Sequence, residues 1–179
     1  MLRALGDLPQ AKRLLELALA SDRKNLGDDH PSVAMCRSNL AGVLKDLGDL
    51  PQAKQLLELA LASFRKNFGD DHPSVARCRF NFAVLAEESG QLEEAQGLLA
   101  QSLASEERSL GPSHPSTAHT RARLARVLHK LALDHEAYPH ATRARQDVAH
   151  LAPGTRVRAS VESLLADWLE DVGEAGVER

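Results

Sequence analysis

The chain has 179 residues and a formal net charge of −3, and 43% of its residues are hydrophobic and 26% charged. These proportions are ordinary for a soluble protein, and the length is sufficient for a substantial core. Nucleic-acid-binding domains are usually basic, and no apolar run here approaches the length that spans a bilayer. The N-terminus also lacks the apolar core of a signal peptide, so we expect a cytoplasmic protein without nucleic-acid or membrane partners.

The chain contains several copies of a 42-residue unit. Residues 5–46 align with residues 47–88 without a gap, and about 31 of the 42 positions are identical. A third, diverged copy covers residues 89–130, and a weaker fourth copy follows it. Units of this length bury their apolar surfaces against their neighbours, so the period predicts a stacked array.

Each unit is predicted to form two helices joined by a short turn. In the first full repeat, apolar residues recur at helical spacing over 31–47 and again over 50–67. Pro31 fits the first turn of a helix, Gly48 fits the end of one, and Asp49 fits the cap of the next. The two cysteines occupy equivalent places in successive repeats and are predicted to be small buried residues; they are Cys36 and Cys78.

The sequence GDDHPSVA occurs at residues 27–34 and again at 69–76, and a looser copy, GPSHPSTA, lies at 111–118. An Asp-Asp-His cluster could hold a metal ion or perform acid–base chemistry. However, structural zinc normally takes four ligands, and copies that lie one repeat apart cannot pool their ligands. Each copy lies where one helix ends and the next begins. This position favours a structural role, with His30 and His72 near the N-cap of a helix.

Together these features resemble the tetratricopeptide repeat of the kinesin light chain type, written broadly as HPxVAxxLNNLAxLYxxxGxYxEAxxLYxxALxIxxxxLGxDHP. The resemblance covers about residues 5–150. It implies an all-α right-handed superhelix, a solenoid of antiparallel helix pairs with about eight helices and a C-terminal capping helix. Leu44, Leu50 and Ala86 replace the usual tyrosines. The matching residues are His30, Pro31, Val33, Ala34, Asn39, Leu40, Ala41, Gly48, Ala53, Leu57, Ala60, Leu61 and Gly69, then His72, Pro73, Val75, Ala76, Asn81, Ala83, Gly90, Ala95, Leu99 and Leu103.

The repeat register also predicts the organisation of the chain. The chain starts in mid-repeat with a helix over 7–25, so we expect either a fragment of a longer array or an open N-terminal end. In the last repeat Ala132 replaces the helix-ending Gly, and Pro139 lies early in the second helix, which should start late or bend. The predicted segments are a partial repeat 1–29, repeats 30–71, 72–113 and 114–153, a capping helix 154–173 and a flexible tail 174–179.

The predicted C-terminal helix is amphipathic. Repeat arrays need a terminal element with a polar outer face, so we expect this helix to cap the solenoid. A contact with a partner or with a second copy is the alternative. The residues predicted to share its apolar face are Val157, Val161, Leu164, Leu165, Trp168, Leu169 and Val172.

The resemblance implies that the first helix of each repeat lines a concave groove that binds an extended peptide or a partner protein. Asn39, Asn81 and Arg123 are equivalent residues 42 positions apart, so they would form a ladder along that groove. An Asn amide can donate to and accept from a peptide backbone, and an Arg guanidinium matches a carboxylate. We therefore expect a peptide or protein ligand, and an acidic peptide is one candidate. The other predicted peptide-binding residues are Met35, Arg77, Phe80, His119, Arg126 and Lys130.

Two simpler interpretations of these residues stay open. The basic residues could form a solvated helix face, and the asparagines could make a hydrogen bond between helices. The sequence carries no Gly-rich phosphate loop, no Cys-x-x-Cys and no Gly-x-Ser-x-Gly motif, so we expect no enzyme activity, cofactor or metal. The function predicted first is a non-catalytic interaction scaffold. The alternatives are an oligomerisation module, acting through an open N-terminal end or the C-terminal helix, and the sensor or adaptor region of a larger signalling protein.

Overall fold

A computed structural model of the chain describes residues 7–175, with side chains described for residues 7–166. This part of the chain is all-α and contains no strand. Its eight helices are α1 (Leu8–Leu26), α2 (Pro31–Asp46), α3 (Leu50–Phe68), α4 (Pro73–Glu88), α5 (Leu92–Ser109), α6 (Pro115–Lys130), α7 (Asp134–Val148) and α8 (Arg156–Ala175). The number of helices and the all-α fold class agree with the prediction from the repeat.

The helices form two compact units, one ending at Gln91 and the other starting at Leu92. We call α2, α4, α6 and α8 first-type helices, and α1, α3, α5 and α7 second-type helices. In the first unit α2 packs between α1 and α3, and α4 packs mainly on α3. In the second unit α6 packs against α5, α7 and α8. Within each unit, a first-type helix thus contacts the second-type helices before and after it, as expected for stacked helix pairs.

The starts of two second-type helices follow the sequence prediction. Asp7 Oδ1 accepts a hydrogen bond from the Gln10 amide at 3.1 Å, and Asp49 Oδ1 accepts one from the Gln52 amide at 3.2 Å. In each case the helix opens with a proline in its first turn, where a missing N–H breaks no helical hydrogen bond. The aspartates are thus N-cap residues, and they set the entry to α1 and α3.

The turn between paired helices requires a left-handed residue, which Gly48 supplies with φ +86°. Ala132 holds the equivalent place two repeats later and adopts the same region, with φ +58°. Its amide donates to the His129 carbonyl at 2.9 Å, as the Gly48 amide donates to the Lys45 carbonyl at 2.9 Å. The turn therefore keeps its conformation with alanine in place of glycine, but the backbone of the alanine is strained.

Helix α7 starts at Asp134, which is one 42-residue period after the start of α5 at Leu92. Pro139 lies inside the helix. The expectation that α7 starts late is therefore wrong, because the helix contains Pro139 and still begins at the position that the repeat period gives. Helix α8 runs two residues past the predicted end of the cap. The side chains of Trp168, Leu169 and Val172 lie outside the described part, whereas Val161 and Leu165 are buried as predicted.

The core is formed largely of small residues at equivalent positions. Ala34, Ala76 and Ala118 are each fully buried near the start of a first-type helix. Alanine lets the helix backbones approach closely, and it has the highest helix propensity. Cys78 is buried as predicted, but Cys36 is only half-buried, and its thiol lies 3.4 Å from Asp22 Oδ2.

Candidate functional site

The histidines of the repeated GDDHPSVA motif are N-cap residues. In each copy the imidazole Nδ1 accepts a hydrogen bond from the backbone amide two residues later, at 3.1 Å. This contact satisfies one of the amides that the first turn of a helix leaves without an intrahelical partner. The three pairs are His30 with Ser32, His72 with Ser74 and His114 with Ser116. The predicted structural role of the motif histidines is confirmed.

The first aspartate of the motif binds a buried arginine. Arg37 Nη2 lies 2.7 Å from Asp28 Oδ1, and Arg37 Nη1 donates to the Asp28 carbonyl at 2.8 Å. Arg23 approaches the same carboxylate from α1, with Nε 2.6 Å from Oδ1. The hydrogen bond from Arg23, together with the charges of Arg23 and Arg37, holds the pKa of Asp28 below its usual value. In the next repeat Asp70, Arg79 and Arg65 repeat the arrangement.

The second aspartate of the motif joins one repeat to the next. The Asp29 carbonyl accepts hydrogen bonds from Ser63 Oγ at 2.8 Å and from Asn67 Nδ2 at 2.7 Å. Lys66 forms an ion pair with the Asp29 carboxylate. Every member of the Asp-Asp-His cluster in the first copy of the motif thus holds backbone or neighbouring side chains in place. Among the described residues, no three His, Cys, Asp or Glu side chains converge as ligands for a metal ion.

The third copy of the motif has a different set of carboxylates around its buried arginine. Pro112 stands where the earlier copies have Asp28 and Asp70, and its carbonyl accepts from Arg121 at 3.1 Å. Glu107 supplies a carboxylate instead, 2.6 Å from Arg121 Nη2, and Asp147 supplies a second. The sequence contained a signal for this change, because Glu107 replaces the arginine of the earlier repeats where Pro112 replaces the aspartate.

Five of the nine predicted peptide-binding residues lie on α2 and α4 of the first unit. Arg77 Nη2 lies 3.0 Å from Met35 Sδ, and Asn81 Nδ2 donates to Ser38 Oγ at 3.1 Å. Near the ends of the two helices Lys45 Nζ lies 2.7 Å from Glu88 Oε1. We call this surface the α2–α4 face; its predicted binding residues are Met35, Asn39, Arg77, Phe80 and Asn81.

The two asparagines of this face have different environments. Asn39 is exposed, whereas Asn81 is half-buried and donates to Ser38, which is itself buried. This contact of Asn81 is a hydrogen bond between helices, which is the alternative to peptide binding for the asparagines. Among the predicted polar binding residues of the α2–α4 face, Asn39 and Arg77 are therefore the ones whose side chains are exposed.

The other four predicted binding residues lie on α6 in the second unit. The His119 ring is half-buried, and its Nε2 lies 3.0 Å from Ser160 Oγ on α8. Burial, with smaller contributions from the charges of Arg123 and Arg126, lowers the pKa of His119 to about 4. Both arginines are half-buried, and Lys130 is exposed. This surface, the α6 face, is thus basic at its far end and is contacted by α8 at His119.

A buried carboxyl that we did not predict lies between α5 and α6. Glu106 is 7% exposed, and its pKa is raised to about 7 because burial disfavours the charged form. Hydrogen bonds with Thr120 and Ser102 oppose that shift. The equivalent residue one repeat earlier is Phe64, which is buried in the core. From the sequence, only the alignment of the repeats could have revealed this feature, because it places the carboxyl residue Glu106 at the core position of Phe64.

Comparisons with known proteins agree with the repeat pattern. The family model described as tetratricopeptide repeat matches residues 1–66 and 37–106. A comparison with curated proteins finds no match. No helix in the described part of the chain combines the length and apolarity needed to cross a membrane.

Solved structures with the same fold include a kinesin light chain protein of Podosopora anserina with nearly identical TPR-like repeats. It is 27% identical to this chain, with a TM-score of 0.79 over 97% of this chain and 82% of that one. A variant of that protein gives a TM-score of 0.80 at the same identity and coverage. BtubC (BKLC) from P. vanneervenii is 20% identical, with a TM-score of 0.77 over 96% of this chain and 72% of that one, and shows the shared fold.

Proposed function

Because the chain belongs to the tetratricopeptide repeat family, whose members are generally protein-interaction scaffolds, we propose that it is a non-catalytic scaffold that binds an extended peptide. The observation that carries this proposal is the α2–α4 face. Two first-type helices there expose Asn39 and Arg77 on adjacent repeats, and neither side chain is part of the core. Such a surface offers an extended backbone both hydrogen-bond donors and acceptors.

The non-catalytic part of the proposal is supported by the repeated Asp-Asp-His motif. It is the cluster in the sequence that looks most like an active site, yet its side chains are engaged in structure. Asp28 binds Arg37, the Asp29 carbonyl accepts from Ser63, and His30 caps α2. A group that already holds the fold in this way is a poor candidate for acid–base chemistry.

The charges of the binding residues support an acidic ligand. Arg77 on the α2–α4 face is exposed, and the α6 face adds Arg123, Arg126 and Lys130. A guanidinium donates two parallel hydrogen bonds to a carboxylate, so arginine selects acidic side chains or a peptide C-terminus. Rim charges of this kind raise the rate of association and make it sensitive to salt.

The experiment that tests this proposal is a peptide-library screen of the full chain. Two variants are screened beside it: the ladder variant Asn39→Ala/Asn81→Ala/Arg123→Ala and a narrower variant, Asn39→Ala/Arg77→Ala. The narrower one removes only exposed side chains, so its fold should be intact. The matched control, Asn25→Ala/Arg145→Ala, removes an exposed Asn from α1 and an exposed Arg from α7.

We expect acidic or extended-motif hits that both face variants lose and the control retains, with unchanged helical circular dichroism for all four chains. If the hits bind the narrower variant as well as the wild type, the α2–α4 face is not the site. If no peptide binds the wild type, the peptide-scaffold proposal fails.

Self-association is a second candidate, favoured by the apolar surface of α1. Leu14 is 49% exposed and Leu17 is 60% exposed on this helix. The repeat equivalent of Leu14, Leu56, is half-buried on α3. Sedimentation velocity over a wide range of protein concentration tests this candidate. A sedimentation mass that rises with concentration for the wild type, but stays at the monomer mass for Leu14→Glu, would support self-association. A constant monomer mass for the wild type would refute it.

A further inference from the structure

Helix α1 exposes side chains that its repeat equivalent, α3, buries. The two helices have nearly the same sequence, which is LPQAKRLLELALASDRKN at residues 8–25 and LPQAKQLLELALASFRKN at residues 50–67. On α3, Ala60 is fully buried and Leu57 is 2% exposed. On α1, the corresponding Ala18 is exposed and the corresponding Leu15 is half-buried. A surface that packs against other residues on α3 is therefore accessible on α1.

On α3 this surface is covered by a first-type helix and by the loop that precedes it. Helix α3 packs between α2 and α4, whereas the main packing partner of α1 in the described part of the chain is α2 alone. The loop before α2 reaches the end of α3, where the Asp29 carbonyl accepts hydrogen bonds from Ser63 Oγ and Asn67 Nδ2. Lys66 forms an ion pair with the Asp29 carboxylate. The structure thus shows what occupies this surface when it is covered.

Helix α1 also carries the polar residues that hold the loop on α3. All three are exposed; they are Ser21, Lys24 and Asn25, equivalent to Ser63, Lys66 and Asn67. In place of a loop carbonyl, Asn25 Nδ2 contacts Ser21 Oγ at 3.4 Å. Residues 1–6 correspond in the repeat to residues 43–48 at the end of a first-type helix, and so are not the counterpart of that loop. Both the apolar and the polar parts of the docking surface are therefore present on α1.

We propose that this surface of α1 binds a loop and helix of the Gly-Asp-Asp-His-Pro type from another repeat protein. We call it the α1 open face; its residues are Leu14, Leu15, Ala18, Ser21, Lys24 and Asn25. The ligand helix would cover Ala18, and the loop would offer a carbonyl to Asn25 and a carboxylate to Lys24, as α2 and Asp29 do for α3. This inference goes beyond peptide binding at the α2–α4 face, because it uses a different helix and a helical ligand.

A second copy of this chain matches the α1 open face less well. The Asp29 loop of a second copy is already bound to its own α3. The last first-type helix is α8, and the loop before it covers residues 149–155. In the repeat register Thr155 stands where Asp29 stands, so this loop has no carboxylate for Lys24 at that place. We therefore assign the α1 open face to a separate partner.

The test uses the full chain and a labelled synthetic peptide of residues 27–46 as the probe, under reducing conditions. The probe contains the loop and the whole of α2. Fluorescence anisotropy measures its binding to the wild type and to Ala18→Glu. We expect at least about tenfold weaker binding to this variant, because the docked helix would bury the new charge. The matched control is Ala20→Glu on the same helix, since Ala20 and its equivalent Ala62 are both exposed. It should bind as the wild type does, and circular dichroism should be unchanged for both variants.

A second comparison tests the register of docking. The probe change Asp29→Ala should weaken binding to the wild type about threefold, which is the size expected for an exposed ion pair. The same probe change should have little effect on binding to Lys24→Ala, because that chain lacks the other member of the pair. Equal losses for the two chains would contradict the proposed contact between Lys24 and the loop carboxylate.

The proposal is overturned if the probe does not bind the wild type, or if it binds Ala18→Glu as tightly. Sedimentation velocity of the wild type at the same concentration tests the other occupant. A dimer that Ala18→Glu abolishes would assign the α1 open face to a second copy and overturn the choice of partner. The library screen varies residues of the α2–α4 face and the ladder, so its failure would leave this result unaffected.

Discussion

Glu107 occupies the place that Arg65 holds one repeat earlier, and its Oε1 lies 2.6 Å from Nη2 of the buried Arg121. In the earlier repeat the arginine at this place binds the loop carboxylate of Asp70. The loop of the third repeat has Pro112 instead of that aspartate, so a carboxylate from α5 takes over its role. The buried arginine is therefore shared by the repeats, whereas the residue that supplies its counter-charge differs between them.

We predict that Asp147→Ala destabilises the protein strongly. Asp147 and Arg121 have side chains that are only 4% and 6% exposed, so removal of the carboxylate leaves a poorly compensated buried cation. Breaking a buried pair from one side costs about 3 kcal/mol of unfolding free energy. Urea denaturation followed by circular dichroism measures this loss. Lys66→Ala, which breaks the exposed ion pair with Asp29, should cost less than about 1 kcal/mol. Equal losses for the two variants would contradict the interpretation.

The buried carboxyl of Glu106 should make the protein less stable as pH rises. Its pKa of about 7 lies above the ordinary value of 4.5, so the unfolded chain releases this proton first. The contribution is therefore most favourable below pH 4.5, falls between pH 4.5 and 7, and is constant above 7. Glu106→Gln should stabilise the protein by about 2–3 kcal/mol at about pH 8 and by little at about pH 4. The exposed Glu58→Gln is the control and should change stability at neither pH.

His119 should produce the opposite slope. Its pKa of about 4 lies below the ordinary 6.5, so the unfolded chain takes up this proton first as the solution is acidified. Its contribution is fully present above pH 6.5 and is lost as pH falls towards 4. His119→Gln should therefore flatten the acid side of the stability profile. Chemical denaturation of this variant across that range measures the slope, and a profile parallel to that of the wild type would show that His119 is not the cause.

The left-handed turn at Ala132 predicts a stabilising substitution. Ala132→Gly should raise the free energy of unfolding by about 0.5–1 kcal/mol, because glycine adopts φ +58° without strain. The reciprocal variant, Gly48→Ala, should lower it by about 1 kcal/mol. No atom lies within 4 Å of a Cβ added at Gly48, so the loss comes from backbone conformation alone. Thermal unfolding of both variants checks the pair, and changes of the same sign would refute this account.

The N-cap hydrogen bonds of the histidines predict which substitution at His30 lowers the free energy of unfolding more. His30→Ala removes the acceptor for the Ser32 amide and should cost about 1 kcal/mol. His30→Asn supplies another side-chain acceptor at the N-cap and should retain most of the stability. Urea denaturation at neutral pH compares the two. If both variants lose the same stability, the contribution of His30 does not come from capping.

The repeat period predicted the fold because it carries the local signals of each helix. Proline, aspartate and histidine recur at helix starts, and these residues act on backbone groups within a few positions. The contacts of Arg121 and Glu106 were not predicted, because they depend on which distant side chains the folded chain brings together. The environment of Asn81 has the same cause, since Ser38 lies 43 positions away in the sequence and becomes a neighbour only through stacking of the repeats.

The measurement that tests the central claim most directly is isothermal titration of the strongest acidic library peptide into four chains. They are the wild type, Asn39→Ala/Arg77→Ala, the ladder variant and the control Asn25→Ala/Arg145→Ala. We predict at least about a tenfold rise in Kd, or about 1.4 kcal/mol of binding free energy, for both face variants and no change for the control. A Kd that is the same for all four chains would contradict the assignment of peptide binding to the α2–α4 face.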